Sequence, residues 1–268
     1  MSLLDELTST ISYSKVERKI VDFIRDYVYS SSVEGVVLGL SGGVDSSVTA
    51  TLLVKSLGRN NVLALIMPHS ETSKVDVEDA ISVAKMLNIE YKVINIDKCV
   101  DVVINSSPWL IGYTDKVVKG NIIARIRMII LYHHANALKR LVAGTSDRSE
   151  YLLGYFTKHG DGAADFFPLL DLYKTQVRKL AYYLGLPKRI CEKPSSPGLW
   201  RGHLAIEELG FNYGIIDQVL YGYFDKKLPI NEIAEKVGLN VEDVKNILNR
   251  IKVTEHKRVL PPHPKLRY

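Results

Sequence analysis

Apolar residues recur at Val16, Ile20, Val21, Ile24 and Val28 within the stretch from Ser14 to Val28, the spacing of one helix face. The run Gly35 to Leu40 is short and almost wholly apolar, as suits a strand buried on both faces. After two glycines a helical pattern runs from Ser46 to Leu57, and Gly58 stops it. Val62 to Met67 reads as a second buried strand ended by Pro68, Val75 to Leu87 as a helix, and Tyr91 to Ile96 as a third strand. Strands alternating with helices predict an α/β chain: right-handed crossovers, and an open parallel sheet with helices on both faces.

The second half continues the alternation. Lys116 to Arg140 carries a long helical pattern, Leu141 to Gly144 a short fourth strand, and Gly154 to Asp165 a loop rich in Gly, Lys and Asp. Lys174 to Leu184 is helical, closed by Gly185 and Pro187, and the segment from Pro194 to Gly202 is irregular. Helical patterns then run to about Ile251, and residues 258–268 form a proline-containing tail. The expected organisation is one unit over 1–268, with 212–252 as a C-terminal helical part. Within that part, Pro229 to Val244 resembles a helix-turn-helix with Gly238 at the turn. Glu242 and Asp243 open its second helix and would repel phosphate, so a packing hairpin is expected there and no nucleic-acid partner.

Composition narrows the class. The 268 residues are 46% hydrophobic and 24% charged, ordinary globular values. Only two cysteines occur and no C-x-x-C pair, which weighs against iron–sulfur and zinc-ribbon chemistry and suits a reducing cytoplasm. No apolar run reaches the roughly 18 residues of a membrane span, and no apolar signal core follows Asp5 and Glu6. Neither a membrane partner nor secretion is expected. A formal net charge of +5 favours anionic ligands without choosing among them.

The chemistry concentrates in Gly39-Leu40-Ser41-Gly42-Gly43-Val44-Asp45-Ser46-Ser47, between a buried strand and a helix. A helix N-terminus offers free N–H groups and partial positive charge to phosphate, and adjacent glycines let the backbone approach a ligand. Asp45 beside phosphates makes sense if it holds Mg²⁺. Three other readings compete. A plain helix cap needs neither two glycines nor three serines. A Walker loop needs a lysine that this loop lacks. Gly39 to Gly43 matches G-x-S-x-G, which would make Ser41 a hydrolase nucleophile. An elbow after the first strand, however, leaves no earlier loop to supply the oxyanion donor.

This loop resembles the SGGxDS signature of the N-type ATP pyrophosphatases, which adenylate a substrate while cleaving ATP to AMP and pyrophosphate. Their fold is a Rossmann-like, adenine nucleotide alpha hydrolase-like open sheet. Four further segments are similar to the NAD synthetase family: Gly120 to Met128, Gly144 to Glu150, Phe156 to Asp165 (FTKHGDGAAD), and His256-Lys257-Arg258. The matching order extends from about Leu38 to Arg258.

The resemblance implies ATP contacts from Gly39, Leu40, Ser41, Gly42, Gly43, Val44, Asp45, Ser46, Thr145, Lys174 and Ser196. It implies deamido-NAD contacts from Arg125, Lys158, Asp165, His256 and Lys257. Arg127 is left as either a structural residue or a phosphate contact. Thr145 and Glu150 follow the fourth strand, where open sheets bind ligands, so Asp45 and Glu150 together are expected to hold Mg²⁺. Asp45 and Lys174 are the expected catalytic pair, acting by positioning and electrostatics. The implied reaction is amidation of deamido-NAD by ammonia through an acyl-adenylate, with ATP as co-substrate, in a homodimer with substrate bound across the subunit boundary. Because little chain precedes the first strand, free ammonia is the expected nitrogen source. A tRNA-thiolating enzyme of the same superfamily is the alternative, although Cys99 and Cys191 are poorly spaced for it. One segment departs from the family: where EGQTDE is usual, Arg201 to Glu207 reads RGHLAIE, which touches substrate closure or ammonia access.

Overall fold

The computed structural model describes residues 2–266. Two helices lead in. A capping box between Ser2 and Asp5 starts α1 (Leu3–Ser9), and α2 (Tyr13–Ser30) follows. β1 (Val36–Gly39), α3 (Val44–Leu57), β2 (Val62–Ile66), α4 (Lys74–Met86) and β3 (Glu90–Val93) then alternate. The chain continues through α5 (Asp97–Asn105), a 3₁₀ segment at Pro108–Tyr113 and α6 (Lys116–Ala137) to β4 (Leu141–Ala143). All strands are parallel, in the order β3-β2-β1-β4, with Val36 opposite both Val62 and Leu141.

Burial explains the apolar runs. Alternate residues of β1 and β2 feed opposite faces of the sheet. Val36, Leu38, Val62, Ala64 and Ile66 pack towards α2, α3, α4 and α8 (Lys174–Tyr183), while Val37, Leu63 and Leu65 pack towards α5 and α6. β3 is an edge strand and largely exposed. It ends at Val93, although the amides of Ile94 and Ile96 still bond Ile66 O and Pro68 O, so the expected extension to Ile96 survives as irregular pairing. Beyond β4, the Gly144 amide bonds Phe166 O and Ala143 pairs with Phe166, a fifth, single-rung edge.

A separate helical cluster closes the molecule. The short helices α7 (Arg148–Leu153), α9 (Lys188–Cys191) and α10 (Ala205–Leu209) lead to α11 (Tyr213–Phe224), α12 (Ile230–Val237) and α13 (Val241–Val253). Ile233 and Ala234 of α12 and Val244, Ile247 and Leu248 of α13 are buried together with Ile216, Val219 and Leu220 of α11. The helix-turn-helix pattern is therefore a packing hairpin, with Gly238 in the left-handed region at its turn (φ 73°). The helices α1, α5, α7, α9 and α10 were not separately resolved in the sequence pattern. Among the described residues, no helix is long and apolar enough to cross a membrane.

Candidate active site

The phosphate loop is built by close approach. Leu40 N–H bonds Leu65 O at 2.9 Å, which keeps the backbone on the sheet before it turns into α3. Gly42 takes φ 79°, and a Cβ there would sit 2.3 Å from Asp76 O of α4, so the turn accepts only glycine. The Ser46 hydroxyl lies 3.0 Å from Ser41 Oγ and accepts the Ser41 N–H at 3.2 Å; Ser47 Oγ donates to Gly43 O at 2.7 Å. Ser41 thus meets Ser46 and the Gly43 amide and no imidazole, so the nucleophile-elbow reading lacks its base. Lys193 braces the turn from outside. Its Nζ reaches Gly42 O (3.2 Å), Asp76 (2.6 Å) and Asp79 (2.8 Å), and Arg189 Nε holds Asp79 at 2.9 Å.

Opposite the loop, carboxylates converge on one lysine. Asp147 caps α7 by accepting the Glu150 N–H at 2.9 Å, which orients Glu150. Lys174, at the start of α8, is fully buried. Its Nζ contacts Asp45 Oδ2 at 2.6 Å, Glu150 Oε1 at 2.7 Å and Asp147 Oδ2 at 3.0 Å. Behind it, Lys174 N–H donates to Ser149 Oγ (2.9 Å), Ser149 Oγ donates to Asp217 Oδ1 (2.5 Å), and Thr175 N–H donates to Asp217 Oδ2 (2.7 Å).

Three acids against one ammonium leave excess negative charge. Burial pushes Asp147 up to about 6 and Glu150 up to about 8, and the neighbouring carboxylates add to burial while Lys174 opposes it. Burial alone would lower Lys174, but Asp147, Asp45 and Glu150 outweigh it and hold the ammonium well above its ordinary value. Burial likewise raises Asp217 to about 7.

Magnesium fits this donor set on two counts. Asp45 Oδ1 is buried with no hydrogen-bond partner, and the cluster lacks positive charge. Asp45 and Glu150 share Lys174, so their contacting oxygens are no more than two hydrogen-bond lengths apart. Among the described residues, no group of three His, Cys, Asp or Glu side chains already forms a metal cage. A site here would draw further ligands from phosphate and water.

Loop and acids open on one cavity of about 670 Å³. Of the expected ATP residues, Gly39, Leu40, Ser41, Gly43, Val44, Asp45, Ser46, Thr145 and Ser196 line it, as does Glu150. Gly42 faces Lys193 and α4, and Lys174 lies behind the acids. Ser196 Oγ donates to His203 O.

The expected dinucleotide residues are divided. Lys257 lines the cavity, its Nζ donating to Gly154 O and Phe156 O, whereas Arg125, Lys158, Asp165 and His256 do not. Arg125 is exposed and its Nε approaches Lys158 O at 3.4 Å; Lys158 Nζ donates to His256 O at 2.7 Å. Asp165 accepts the Val142 N–H at 2.7 Å and the Tyr132 hydroxyl at 3.3 Å, beside β4. Arg127 does line the cavity, donating from Nε to Met67 O at 3.2 Å, and burial lowers it to about 10.

Asp147, Lys193 and Asp217 were missed from the sequence as site residues. Asp147 lies within the Gly144 to Glu150 segment, and its spacing three residues before Glu150 is a helix-cap signal. The other two had none.

A glycine-bent loop after the central strand, facing paired acids in one cavity, defines an α/β protein built around a phosphate-bearing ligand. The family described as NAD synthase matches residues 16–261. The NH(3)-dependent NAD(+) synthetase of Hyperthermus butylicus is 50% identical over 265 residues, covering 97% of this chain and 94% of that one. Among solved structures, the NH3-dependent NAD synthetase of Campylobacter jejuni has a TM-score of 0.80 at 36% identity, covering 95% of this chain and all of its own. The NMN synthetase of Francisella tularensis has a TM-score of 0.83 at 38% identity, covering 96% of this chain and all of its own. The chain belongs to the NAD synthase family.

Proposed function

We propose that this chain is a ligase that amidates deamido-NAD with ammonia at the expense of ATP, giving NAD, AMP and pyrophosphate. The carrying observation is the single cavity in which the Ser41–Ser46 loop faces Glu150 and Thr145. The near full-length likeness to NH(3)-dependent NAD(+) synthetases supports ammonia as the nitrogen donor.

A carboxylate is a poor electrophile, so it must first be activated. The loop amides from Ser41 to Ser46 hold phosphate oxygens and fix the α-phosphorus near the nicotinate carboxylate. Asp45, through its free Oδ1, and Glu150 would hold Mg²⁺, which when bound neutralises charge on the departing pyrophosphate. Lys174 keeps both acids in place and supplies fixed positive charge from behind.

Three of the remaining dinucleotide residues belong to a homodimer in this reading, while Asp165 stays beside β4 against Val142 and Tyr132. Arg125, Lys158 and His256 form a connected surface group away from the cavity, suited to reach a substrate shared with a second copy. A cytoplasmic location is part of the same proposal, in keeping with unpaired Cys99 and Cys191. The same two cysteines, one exposed and one buried, give the tRNA-thiolating alternative no redox pair.

The test is to incubate the protein with deamido-NAD, Mg-ATP and ammonium and to quantify products. NAD, AMP and pyrophosphate in equal amounts are expected; ADP and phosphate would defeat the adenylation route. Nicotinate mononucleotide is the competing acceptor in the same assay. A preference for it would move the chain to the activity named for the Francisella tularensis protein.

A further inference from the structure

The peptide unit between Gly42 and Gly43 has a glycine on each side. Turning that unit over changes ψ of the first residue and φ of the second and leaves the rest of the chain in place. Gly43 has φ −86°, so the turned form would give it a positive φ, which glycine adopts freely and other residues do not. The two orientations face the cavity with opposite chemistry. In a trans peptide the C=O and N–H point opposite ways, so one form presents an N–H to a phosphate and the other a carbonyl oxygen. The observed form is the one that suits an anion. Gly42 O meets Lys193 outside the loop, while Gly43 lines the cavity and its N–H lies on the side of Ser41 Oγ. That last bond is long at 3.3 Å and would be given up to a phosphate oxygen, so the loop's own contacts hold the orientation weakly.

Lys193 is placed to hold that carbonyl. Its side chain is 21% exposed, and its ammonium contacts Asp76 Oδ1 at 2.6 Å, Asp79 Oδ2 at 2.8 Å and Gly42 O at 3.2 Å. An ammonium has three donors, and these three contacts use all of them. Although Lys193 lines the cavity, it has no N–H to spare for a ligand, so its effect runs through the loop. The two acids sit on α4, whose backbone already touches the loop: a Cβ at Gly42 would lie 2.3 Å from Asp76 O and 3.0 Å from Ala80 N. They aim the lysine at the carbonyl. Asp79 takes a second cation, Arg189 Nε at 2.9 Å, so two acids balance two bases. The backbone that carries Lys193 is fixed as well. Arg178 of α8 donates to Cys191 O at 2.8 Å, Lys193 O at 2.7 Å and Ser195 Oγ at 3.1 Å. The lysine is thereby tied to the helix that begins at Lys174.

We propose that Lys193 is a positioning residue for the ATP reaction: it locks the Gly42–Gly43 peptide with its carbonyl outward and its N–H towards the triphosphate. The inference rests on the ATP-dependent reading above and names a residue outside the loop on which the loop's grip depends. The need for it follows from the loop's composition. Paired glycines let the backbone come close to phosphate, and the same freedom lets a carbonyl turn towards it. A carbonyl oxygen there would repel the triphosphate and withdraw one donor from it. A hydrogen bond from a charged donor shifts an equilibrium by about ten- to a hundredfold. That is enough to keep most loops in the binding orientation before ATP arrives. Without it, the apparent affinity for ATP falls by the fraction of loops that still face the right way.

The experiment is Mg-ATP binding by calorimetry without deamido-NAD, alongside steady-state KM values for ATP and for deamido-NAD. Lys193→Met is expected to weaken ATP binding and raise ATP KM by about tenfold or more, while KM for deamido-NAD stays within about threefold of wild type. Lys193→Arg, which keeps a charged donor, should recover most of that affinity. Two further variants separate positioning from charge and from packing. Lys193→Met combined with Asp76→Asn removes the carboxylate left without its cation, and the tenfold loss should remain. Arg189→Met removes the other cation on Asp79 without touching Gly42, and its ATP affinity should stay within about threefold of wild type. Wild-type ATP affinity in a folded Lys193→Met protein overturns the proposal. So does full recovery on adding Asp76→Asn, or an equal loss in Arg189→Met. If Lys193→Met alone fails to fold, the charge-balanced double variant carries the same test. A wild-type protein that binds no ATP overturns the amidation reading itself, a result separate from any effect of Lys193.

Discussion

A single buried ammonium organises the site. Lys174 is 0% exposed and meets three carboxylates that come from three places in the chain: the phosphate loop, the cap of α7 and the first turn of that helix. Removing one partner of such a cluster is not symmetric. Lys174→Met would strand buried Asp147 beside the half-buried Asp45 and Glu150, and breaking a buried pair in this way costs about 3–5 kcal/mol. Asp45→Ala does the reverse and relieves excess negative charge. The expected outcome in urea denaturation without divalent cations is a marked loss of stability for Lys174→Met and little or none for Asp45→Ala. The turnover of Asp45→Ala is expected to fall by about 10²–10³-fold, the range for removing one preorganised electrostatic contact. Normal kcat in Asp45→Ala would remove that residue from the site. Legibility in the sequence follows the same geometry. The loop from Gly39 to Ser47 was readable because its parts are consecutive. Lys193 and Asp217 were not, because each matters only through a contact more than forty residues away in the chain.

At the scale of elements, helix starts carry the chemistry. α3 begins beneath the phosphate loop, α7 begins at Asp147, and α8 begins at Lys174. Asp217, in the middle of α11, ties the last two together through Ser149 and Thr175. This tie has a pH signature. Burial raises Asp217 to about 7, so the folded state holds its proton over a range in which the unfolded chain, with an ordinary Asp near about 3.9, has lost it. The protonated acid's contribution is therefore present below pH ~4 and declines as pH rises to about 7, by up to about 1.4 kcal/mol per pH unit. Asp217→Asn does not titrate. Relative to wild type it should gain stability steadily between pH ~4 and ~7 and then level off. Denaturation midpoints measured across that range check this, and parallel pH profiles for the two proteins would count against a raised Asp217. β1, β2 and β4 were legible because double-sided burial demands apolar runs. The short helices α5, α7 and α10 were not, since each is under ten residues and shows too few turns for a 3.6-residue period to stand out.

At the scale of the whole molecule, several large apolar side chains lie exposed on neighbouring elements. Val102 and Val103 of α5, Trp109, Ile111 and Tyr113 of the following 3₁₀ segment, and Ile129 of α6 are exposed, with Trp109 at 74% and Tyr113 at 78%. Exposed apolar side chains on neighbouring elements can mark an interaction site. The same long helix α6 carries exposed Arg125, which connects through Lys158 to His256. A twofold pairing over this face would join like surfaces, as homodimers do, and bring the second copy's cationic group towards a shared substrate. The expected mass in solution is therefore twice the 30.1 kDa chain. Trp109→Asp combined with Ile129→Asp inserts like charges into the interface this pairing would form and should give monomers. The phosphate loop, acids and cavity lie within one chain, so those monomers should bind ATP with unchanged affinity. On the homodimer reading, their KM for deamido-NAD should rise by about tenfold or more, because a substrate shared between copies would lose one wall. Light scattering and separate titrations of the two nucleotides give the answer. A wild-type protein that is monomeric at working concentration yet fully active would exclude a substrate site shared between copies. It would also require Arg125, Lys158 and His256 to act on the surface of a single chain.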